Sequence, residues 1–207
     1  MATKILTSQI VKKFLTARKS SSRKGDNGKV LVVGGSYMYH GAPVLSSIAA
    51  LRSGSDLVYT CVPKINAFAT RSLSPDLIVI PMADSKLTRG TVNKLLGQVP
   101  VDVDSATIGM GLAIQDIEAL KLIIKSLLSR DVRLSIDASS LVREIIPLIE
   151  GHNVVVTPHE GEFKRLFGDS PGNKKTERIR SCEKFAKKHS ITVLLKGKDD
   201  IITNGQT

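Results

Sequence analysis

The apolar residues of the chain form two kinds of segment, short continuous runs and longer stretches with helical spacing. The continuous runs predict buried strands at residues 29–33, 57–62, 77–81, 106–109, 132–136, 154–156, 192–195 and 200–203. The helically spaced stretches predict helices at residues 10–15, 43–54, 64–73, 87–96, 116–129, 141–149, 160–167 and 176–189. Continuous apolar strands separated by helices are typical of a mainly parallel sheet with helices on both faces, so the pattern predicts an α/β fold.

Two helix limits follow from local signals. Thr7 or Ser8 is predicted to cap the first helix, because a side-chain hydroxyl can accept a hydrogen bond from a free N–H of the first turn. Pro43 is predicted to occupy the first position of the second helix, and Gly54 to end it.

Polar residues and glycines follow the predicted strands at five places. These are Gly34-Gly35-Ser36, Gly109-Met110-Gly111, Asp137-Ala138-Ser139, Thr157-Pro158-His159-Glu160 and Lys196-Gly197. Ligands of open parallel sheets bind beyond the carboxyl ends of the strands, so this coincidence predicts a ligand site there.

The glycine loops have two interpretations. The loop of residues 34–43 matches neither the dinucleotide pattern G-x-G-x-x-G nor the phosphate loop G-x-x-x-x-G-K-[ST]. Its bare N–H groups at a helix start suit an anion or a sugar, but taken alone the glycines are better explained by a tight connection. Gly109 and Gly111 permit a flat ligand to approach the backbone, or they serve only a loop.

Three side chains are candidates for chemistry. Asp137 is either a site carboxylate or the N-cap of the helix that follows. His159 offers a neutral hydrogen-bonding group to a ligand, and we favour this role over a structural one. Metal ligation is disfavoured, because no second histidine lies at ligand spacing. Lys196 could neutralise a phosphate, with the N–H of Gly197 as a further donor; alternatively, the strand simply continues into a charged hairpin.

Composition narrows the class of protein. The 207 residues, 42% of them hydrophobic, suit one α/β domain spanning 1–207. The net charge of +11 favours an anionic partner, namely nucleic acid, anionic lipid or a polyphosphate. Aromatic residues make up 4% and tryptophan is absent, which argues against a stacking platform for single-stranded nucleic acid. Two basic clusters, at residues 12–24 and 174–188, are interpreted as solvated surfaces.

The sequence also indicates a compartment. Cys61 and Cys182 form no C-x-x-C pair and predict neither a disulfide framework nor a zinc site. The first twenty residues lack the features of a secretory signal, and no apolar run is long enough for a membrane span. A cytoplasmic protein is expected.

The ordered set of motifs resembles the ADP- or ATP-dependent NAD(P)H-hydrate dehydratase family. The resemblance lies in residues 25–36, Gly41-Ala42-Pro43, residues 50–54, 74–79, 108–112 and 153–163, and Leu195-Lys196-Gly197. It implies a ribokinase-like fold with three α/β/α layers. It also implies an enzyme that converts the hydrate of NADH or NADPH to the reduced cofactor, with ADP or ATP as phosphoryl donor and Mg²⁺ as metal ion. A homo-oligomer is the expected assembly.

The resemblance implies two sets of binding residues. Those expected to contact the hydrated nicotinamide nucleotide are Ala42, Gly109, Gly111, Thr157, Pro158 and His159. Those expected to contact the adenine nucleotide are Lys196, Gly197, Lys198, Asp199 and Asp200. Two positions depart from the family pattern, Met110 where proline is usual and Ser139 where a second aspartate is typical.

The family pattern continues with a Gly-Thr-Gly-Asp segment whose aspartate is the catalytic base. The chain ends at Thr207 before such a segment, so the sequence is expected to be truncated, and its catalytic residue stays unassigned.

Two other functions compete with the dehydratase. One is a kinase of the same superfamily that phosphorylates a vitamin-precursor alcohol. The other is a binding module that contacts nucleic acid through its basic N-terminal cluster, or nucleotide without turnover. Nucleic-acid binding would weaken steeply with salt, and the chain carries no recognition-helix motif.

Overall fold

One mixed sheet forms the centre of the protein. The computed structural model describes residues 4–15 and 17–206. Its strands are β1 (Lys29–Val33), β2 (Leu57–Pro63), β3 (Ile78–Met82), β4 (Ser105–Ile108), β5 (Arg133–Ile136), β6 (Val154–Val156), β7 (Thr192–Leu195) and β8 (Ile201–Thr203). They lie in the order β3-β2-β1-β4-β5-β6-β7-β8. Every neighbouring pair is parallel except β7 and β8, which confirms the prediction of a mainly parallel sheet.

Helices follow most of the strands. Those in the described part of the chain are α1 (Ser8–Phe14), α2 (Gly41–Arg52), α3 (Lys64–Leu73), α4 (Arg89–Leu96), α5 (Ile117–Leu128), α6 (Ile146–Ile149), α7 (Glu160–Phe167) and α8 (Lys175–His189). The predicted cap of α1 is Thr7, whose hydroxyl oxygen accepts a hydrogen bond from the N–H of Ile10. None of these helices has the length and apolar character that crossing a membrane requires.

Two apolar clusters cover opposite faces of the sheet. Side chains of a strand alternate between faces, so Leu31 and Val33 enter the larger cluster, whereas Val32 enters the smaller one. The larger cluster packs α4 and α5 against the sheet, and the smaller one packs α2 against it. The protein therefore has the three α/β/α layers that the resemblance implied.

The helix predicted at residues 141–149 is confirmed only in part, because its first two residues are not helical and the rest begins as a 3₁₀ turn. The structure has 3₁₀ turns at Ala138–Ser140 and Arg143–Ile145, followed by the single turn of α6. Leu141, Ile145 and Ile149 are fully buried at helical spacing, which explains the misleading pattern. Pro147 has no N–H group for a continuing helix and instead lies in the first turn of a new one.

The start of the second helix also differs from the prediction. α2 begins at Gly41, so Pro43 is its third residue and not its first. This position tolerates proline because the first N–H groups of a helix have no partner within it.

The strand order reverses at β1. The chain passes from β1 to β2 and β3 on one side, and later places β4 to β8 on the other side. The chain therefore continues from β1 and from β4 towards opposite edges of the sheet, with a crevice at the carboxyl edge between them. Crevices of this kind are the usual ligand sites of open α/β sheets.

Candidate functional site

The glycine loops after β1 and β4 pack directly against each other. The N–H of Gly35 donates a 2.9 Å hydrogen bond to the carbonyl of Met110. A Cβ atom at Gly34 would lie 2.6 Å from the same carbonyl oxygen, so only glycine permits this approach. The side chain of Met110 is buried in the smaller apolar cluster, which explains how methionine fits at this turn.

A cavity of about 470 Å³ lies where these loops meet the start of α2. Its lining residues are Met38, Tyr39, His40, Gly41, Ala42 and Gly111. Ala42, in the first turn of α2, and Gly111, in the loop after β4, thus line one cavity although they are 69 residues apart in sequence. Both were predicted to bind the substrate. Gly111 has a left-handed backbone (φ 66°), and a Cβ atom there would lie 2.9 Å from the Cβ of Tyr39. We call this space the switch-point cavity.

Gly109 has a different position from Gly111. It is buried with φ 122°, and a Cβ atom there would lie only 2.0 Å from the carbonyl oxygen of Asp137. The adjacent Ser139 hydroxyl lies 2.9 Å from the carbonyl of Gly109 and 2.6 Å from that of Leu112. An ionised aspartate could not donate to these carbonyls, so Ser139 supplies a contact that the usual family residue would not.

A cluster of charged and polar side chains lies at the carboxyl ends of β5, β6 and β7. The Lys196 ammonium group lies 2.7 Å from Oδ1 of Asp137 and 3.7 Å from Oε2 of Glu162. The hydroxyl of Thr157 donates a 2.9 Å hydrogen bond to the same Oδ1 of Asp137. We call these four residues the Asp137–Lys196 cluster. Asp137 occupies the N-cap position of the 3₁₀ turn Ala138–Ser140, but its carboxylate makes no capping hydrogen bond there and pairs with Lys196 instead.

The backbone around the Asp137–Lys196 cluster is held by long-range contacts. The N–H of Lys196 donates to the carbonyl of Pro158 (2.8 Å), which fixes β7 against the end of β6. Arg178 donates to the carbonyl of Lys196 (3.1 Å). Its side chain is only 15% exposed, so the interpretation of the second basic cluster as fully solvated was wrong at this residue.

The turn after β7 contains the predicted nucleotide-binding residues. The N–H of Gly197 donates to Oδ1 of Asp200 (2.9 Å), and Lys175 of α8 pairs with Asp199 (3.1 Å). Lys198 is exposed at the same turn. A phosphate that binds the N–H of Gly197 must therefore compete with the carboxylate of Asp200.

His159 is the N-cap of α7. Its Nδ1 accepts hydrogen bonds from the N–H groups of Gly161 (3.0 Å) and Glu162 (3.3 Å), and Glu162 returns a contact to the N–H of His159 (2.9 Å). The Nε2 atom of His159 lies 3.4 Å from Oε1 of Glu162, and the His159 side chain is 60% exposed. The structural role of the ring is thus clear, and its contact with a substrate stays a prediction.

The contacts of Arg165 and the backbone conformation of Ala138 were not predicted from the sequence. Arg165 of α7 donates to the carbonyls of Leu141 (2.7 Å) and Ala138 (2.5 Å). Ala138 has the left-handed backbone (φ 51°) that non-glycine residues rarely adopt, directly after Asp137. Arg165 lies in no recognisable motif, so no sequence signal could have found its contacts.

The switch-point cavity and the Asp137–Lys196 cluster lie on the same edge of the sheet. Three strand spacings separate β4 from β7, which corresponds to about 14 Å. Two ligands that bind at these places would therefore meet over β5 and β6.

Comparison with known proteins identifies the family. The family model described as NAD(P)H-hydrate dehydratase matches residues 30–207. The ADP-dependent (S)-NAD(P)H-hydrate dehydratase of Nitrosopumilus maritimus is 69% identical over 207 residues, which are 100% of this chain and 72% of that protein.

Solved structures agree on the fold. The ADP/ATP-dependent NAD(P)H-hydrate dehydratase of Bacillus subtilis, crystallised with ATP and Mg²⁺, superposes with a TM-score of 0.78 at 23% identity, covering 96% of this chain and 68% of that one. A ribokinase-like superfamily protein of Enterococcus faecalis gives 0.72 at 25% identity, covering 95% and 67%. The fold is thus ribokinase-like, and the chain belongs to the NAD(P)H-hydrate dehydratase family.

Proposed function

We propose that the protein catalyses the dehydration of NAD(P)H hydrate to NAD(P)H, with ADP as phosphoryl donor. The observation that carries the proposal is the placement of the switch-point cavity and the Asp137–Lys196 cluster on one sheet edge, with about 14 Å by strand spacing between β4 and β7, the strand that precedes Lys196. The relative from Nitrosopumilus maritimus is named ADP-dependent, which favours ADP over ATP.

The chemistry explains why a phosphoryl donor is needed. The C6 hydroxyl of the hydrate is a poor leaving group. Its oxygen attacks the terminal phosphorus of ADP, AMP leaves, and the hydroxyl proton is released. The ring nitrogen then assists cleavage of the C6–O bond, phosphate departs, and loss of a proton from C5 forms the C5–C6 double bond. The net products are the reduced cofactor, AMP and inorganic phosphate.

The residues divide between the two substrates. The switch-point cavity, with Ala42 and Gly111, would hold the hydrated nicotinamide end. Lys196 would neutralise phosphate charge on the donor, because a lysine ammonium group is a common phosphate ligand. Asp137 and Glu162 hold that ammonium group at the edge of the sheet. Phosphoryl transfer depends mainly on such positioning and charge neutralisation.

A magnesium ion suits this site as part of the nucleotide complex. No group of three or more histidine, cysteine or acidic side chains within residues 4–15 and 17–206 is arranged to hold a metal ion alone. Mg²⁺ is usually bound by one or two carboxylates together with substrate phosphates. Asp137 and Glu162 are the carboxylates next to the proposed phosphate position, and the ion would supply further charge neutralisation there.

The cytoplasm is the proposed compartment, and repair of damaged nicotinamide cofactor the proposed role. Cys61 and Cys182 are both free and buried, as is usual in a reducing environment.

The direct test uses the full-length protein with NADH hydrate, ADP and Mg²⁺. The expected result is recovery of the dihydronicotinamide absorbance together with equimolar AMP and phosphate. Lys196→Ala should raise KM for ADP by about tenfold or more, because a charge-assisted contact is lost. Lys125→Ala, at an exposed position of α5, removes an equal charge and should leave KM for ADP unchanged.

Two outcomes would contradict the proposal. Absence of nucleotide-dependent recovery is the first. The second is a stable phosphorylated alcohol from a vitamin precursor while the hydrate remains untouched, which would establish the kinase alternative.

A further inference from the structure

A second cavity lies on the other side of the strand-order reversal. It has a volume of about 530 Å³ and is formed at the carboxyl ends of β2 and β3. Its lining residues are Tyr37, Pro63, Lys64, Ile65, Ala83 and Ser85. No residue of this cavity takes part in the dehydration proposed above. We call it the β2–β3 cavity.

Only a short loop separates the β2–β3 cavity from the switch-point cavity. Tyr37 lines the first and Tyr39 lines the second. The cavities face the β2–β3 and β1–β4 pairs, so their centres are two strands apart, about 10 Å. A single ligand with two ends joined by a flexible linker can therefore occupy both.

The separating loop is held in place by hydrogen bonds. The N–H of Ser36 donates to the carbonyl of Tyr39 (2.8 Å), and the N–H of Tyr39 donates to the hydroxyl of Ser36 (3.2 Å). The buried side chain of Asn66 donates to the carbonyl of Ser36 (2.7 Å). These hydrogen bonds anchor the loop to α3 and fix the backbone that carries Tyr37 and Tyr39.

The lining of the β2–β3 cavity suits an aromatic base with a phosphate. Tyr37 is 71% exposed and Ile65 is 61% exposed, so both present uncovered apolar surface. Aromatic side chains such as that of Tyr37 stack on nucleobases, whichever base is present. Lys64 is exposed and has neither an ion pair nor a side-chain hydrogen bond among residues 4–15 and 17–206.

One carboxylate, that of Asp84, lies in sequence between the lining residues Ala83 and Ser85. Asp84 accepts hydrogen bonds from the hydroxyls of Thr88 (3.1 Å) and Thr91 (2.7 Å). Its carboxylate is thereby committed to the start of α4, and Lys64 is left as the charged group of the cavity lining.

We propose that the β2–β3 cavity binds the adenosine end of the dinucleotide substrate. Tyr37 stacks on the adenine, and Lys64 binds the 2′-phosphate that distinguishes NADPH from NADH. This inference rests on the proposed function. With the nicotinamide end in the switch-point cavity, the edge towards β7 is taken by the donor, so the adenosine end extends towards β2 and β3.

The test compares three hydrates, those of NADPH, NADH and reduced nicotinamide mononucleotide. Lys64→Ala should raise KM for NADPH hydrate by about tenfold and leave KM for NADH hydrate unchanged, because only the former has the extra phosphate. Tyr37→Ala should raise KM for both dinucleotide hydrates by about tenfold and leave the mononucleotide unaffected, because only the dinucleotides have an adenine. The value of kcat should change less than twofold, on the order of experimental scatter.

Two controls separate charge and folding from recognition. Lys64→Arg retains the cation and should retain the preference for NADPH hydrate. Lys125→Ala removes an equal charge from the exposed surface of α5 and should leave all three KM values unchanged.

Three results would overturn the inference. One is an equal effect of Lys64→Ala on all three hydrates. Another is a rise in KM for ADP in Tyr37→Ala, which would assign the cavity to the donor. The third is a change of oligomeric state in Tyr37→Ala, seen by light scattering, which would assign the cavity to a second copy of the chain.

Equilibrium binding distinguishes this inference from the proposed function. If the wild-type protein fails to convert NADH hydrate, the proposed function fails. Calorimetric titration with NADPH and NADH then still tests the cavity, because loss of the NADPH preference in Lys64→Ala supports it and equal binding by the wild-type protein refutes it.

Discussion

The ammonium nitrogen of Lys196 lies 2.7 Å from Oδ1 of Asp137, although 59 residues separate the two in sequence. The contact joins the carboxyl ends of β5 and β7 across β6, whose Thr157 donates to the same oxygen. Lys196 remains 39% exposed, so the ammonium group is oriented by the protein and still accessible to a ligand.

Asp137→Asn tests the positioning role of this pair. The variant keeps the shape of the side chain but loses the charge that holds Lys196, so kcat/KM for ADP should fall about tenfold. The free energy of unfolding should change by less than about 1 kcal/mol, because partly exposed ion pairs contribute little to stability. Steady-state kinetics and urea unfolding measure the two quantities.

Glu118→Gln is the matched control for that variant. It breaks the Lys121–Glu118 ion pair on the surface of α5, which at 2.8 Å is close in length to the 2.7 Å Lys196–Asp137 pair. Unchanged kinetics are expected there, and unchanged kinetics in Asp137→Asn would contradict the positioning role.

Gly109→Ala tests the close contact between the β4 and β5 loops. The new Cβ atom would lie 2.0 Å from the Asp137 carbonyl oxygen at a residue with φ 122°. We expect the free energy of unfolding to fall by about 3 kcal/mol or more. Gly97→Ala is the control, because its φ is −74° and its Cβ would lie 3.6 Å from the nearest atom. Equal free energies of unfolding for Gly109→Ala and Gly97→Ala in urea would contradict a close contact at Gly109.

Ala42→Phe tests the switch-point cavity. Ala42 is exposed in the first turn of α2, so a phenylalanine there should fill the cavity without disturbing the core. KM for the hydrate should rise about tenfold, while KM for ADP should change less than about twofold. Ala69→Phe places the same side chain on the exposed surface of α3 and should leave both constants unchanged. A parallel rise of both KM values in Ala42→Phe would contradict separate binding regions.

His189 should make stability depend on pH. Burial lowers the pKa of His189, with Lys188 acting in the same direction and Glu150 opposing both. The unfolded chain therefore takes up this proton at a higher pH than the folded protein. The contribution of His189 to the free energy of unfolding is fully present above about pH 6.5 and is lost as the pH falls below that value.

Urea unfolding at neutral and mildly acidic pH measures this effect. His189→Gln should flatten the dependence between the two conditions, whereas His152→Gln, at an exposed position, should retain it. Equal slopes in the wild type and His189→Gln would refute the assignment.

The sequence predicted the fold well where the local pattern determines structure. The predicted limits of α3, α7 and β7 agree with those observed. The single helix predicted at 141–149 differs from the observed turns because Leu141, Ile145 and Ile149 keep a helical period while all three are buried in the same apolar cluster. Local pattern cannot separate one helix from a series of short turns that bury the same residues.

The site was predictable only in part. Polar residues after parallel strands must lie on one edge, so the meeting of Ala42 with Gly111 and of Thr157 with Lys196 followed from the fold class. The ion pair of Asp137 with Lys196 was not predicted, because it depends on the strand order, which places β7 two strands from β5. The buried contact of Arg178 required the same knowledge, since nothing distinguishes it from the neighbouring basic residues of α8.

The close approach of Gly109 to the carbonyl of Asp137 joins the loops on which the two proposed substrates would be held. Ala42 follows β1 and Lys196 follows β7, whereas residues 157–159, predicted to bind the hydrate, follow β6 between them. Because a Cβ atom at Gly109 would lie 2.0 Å from the Asp137 carbonyl oxygen, no side chain can be added there without moving the loop after β5. Relatives built on this scaffold can therefore vary the hydrate-binding surface at Ala42 more freely than at Gly109.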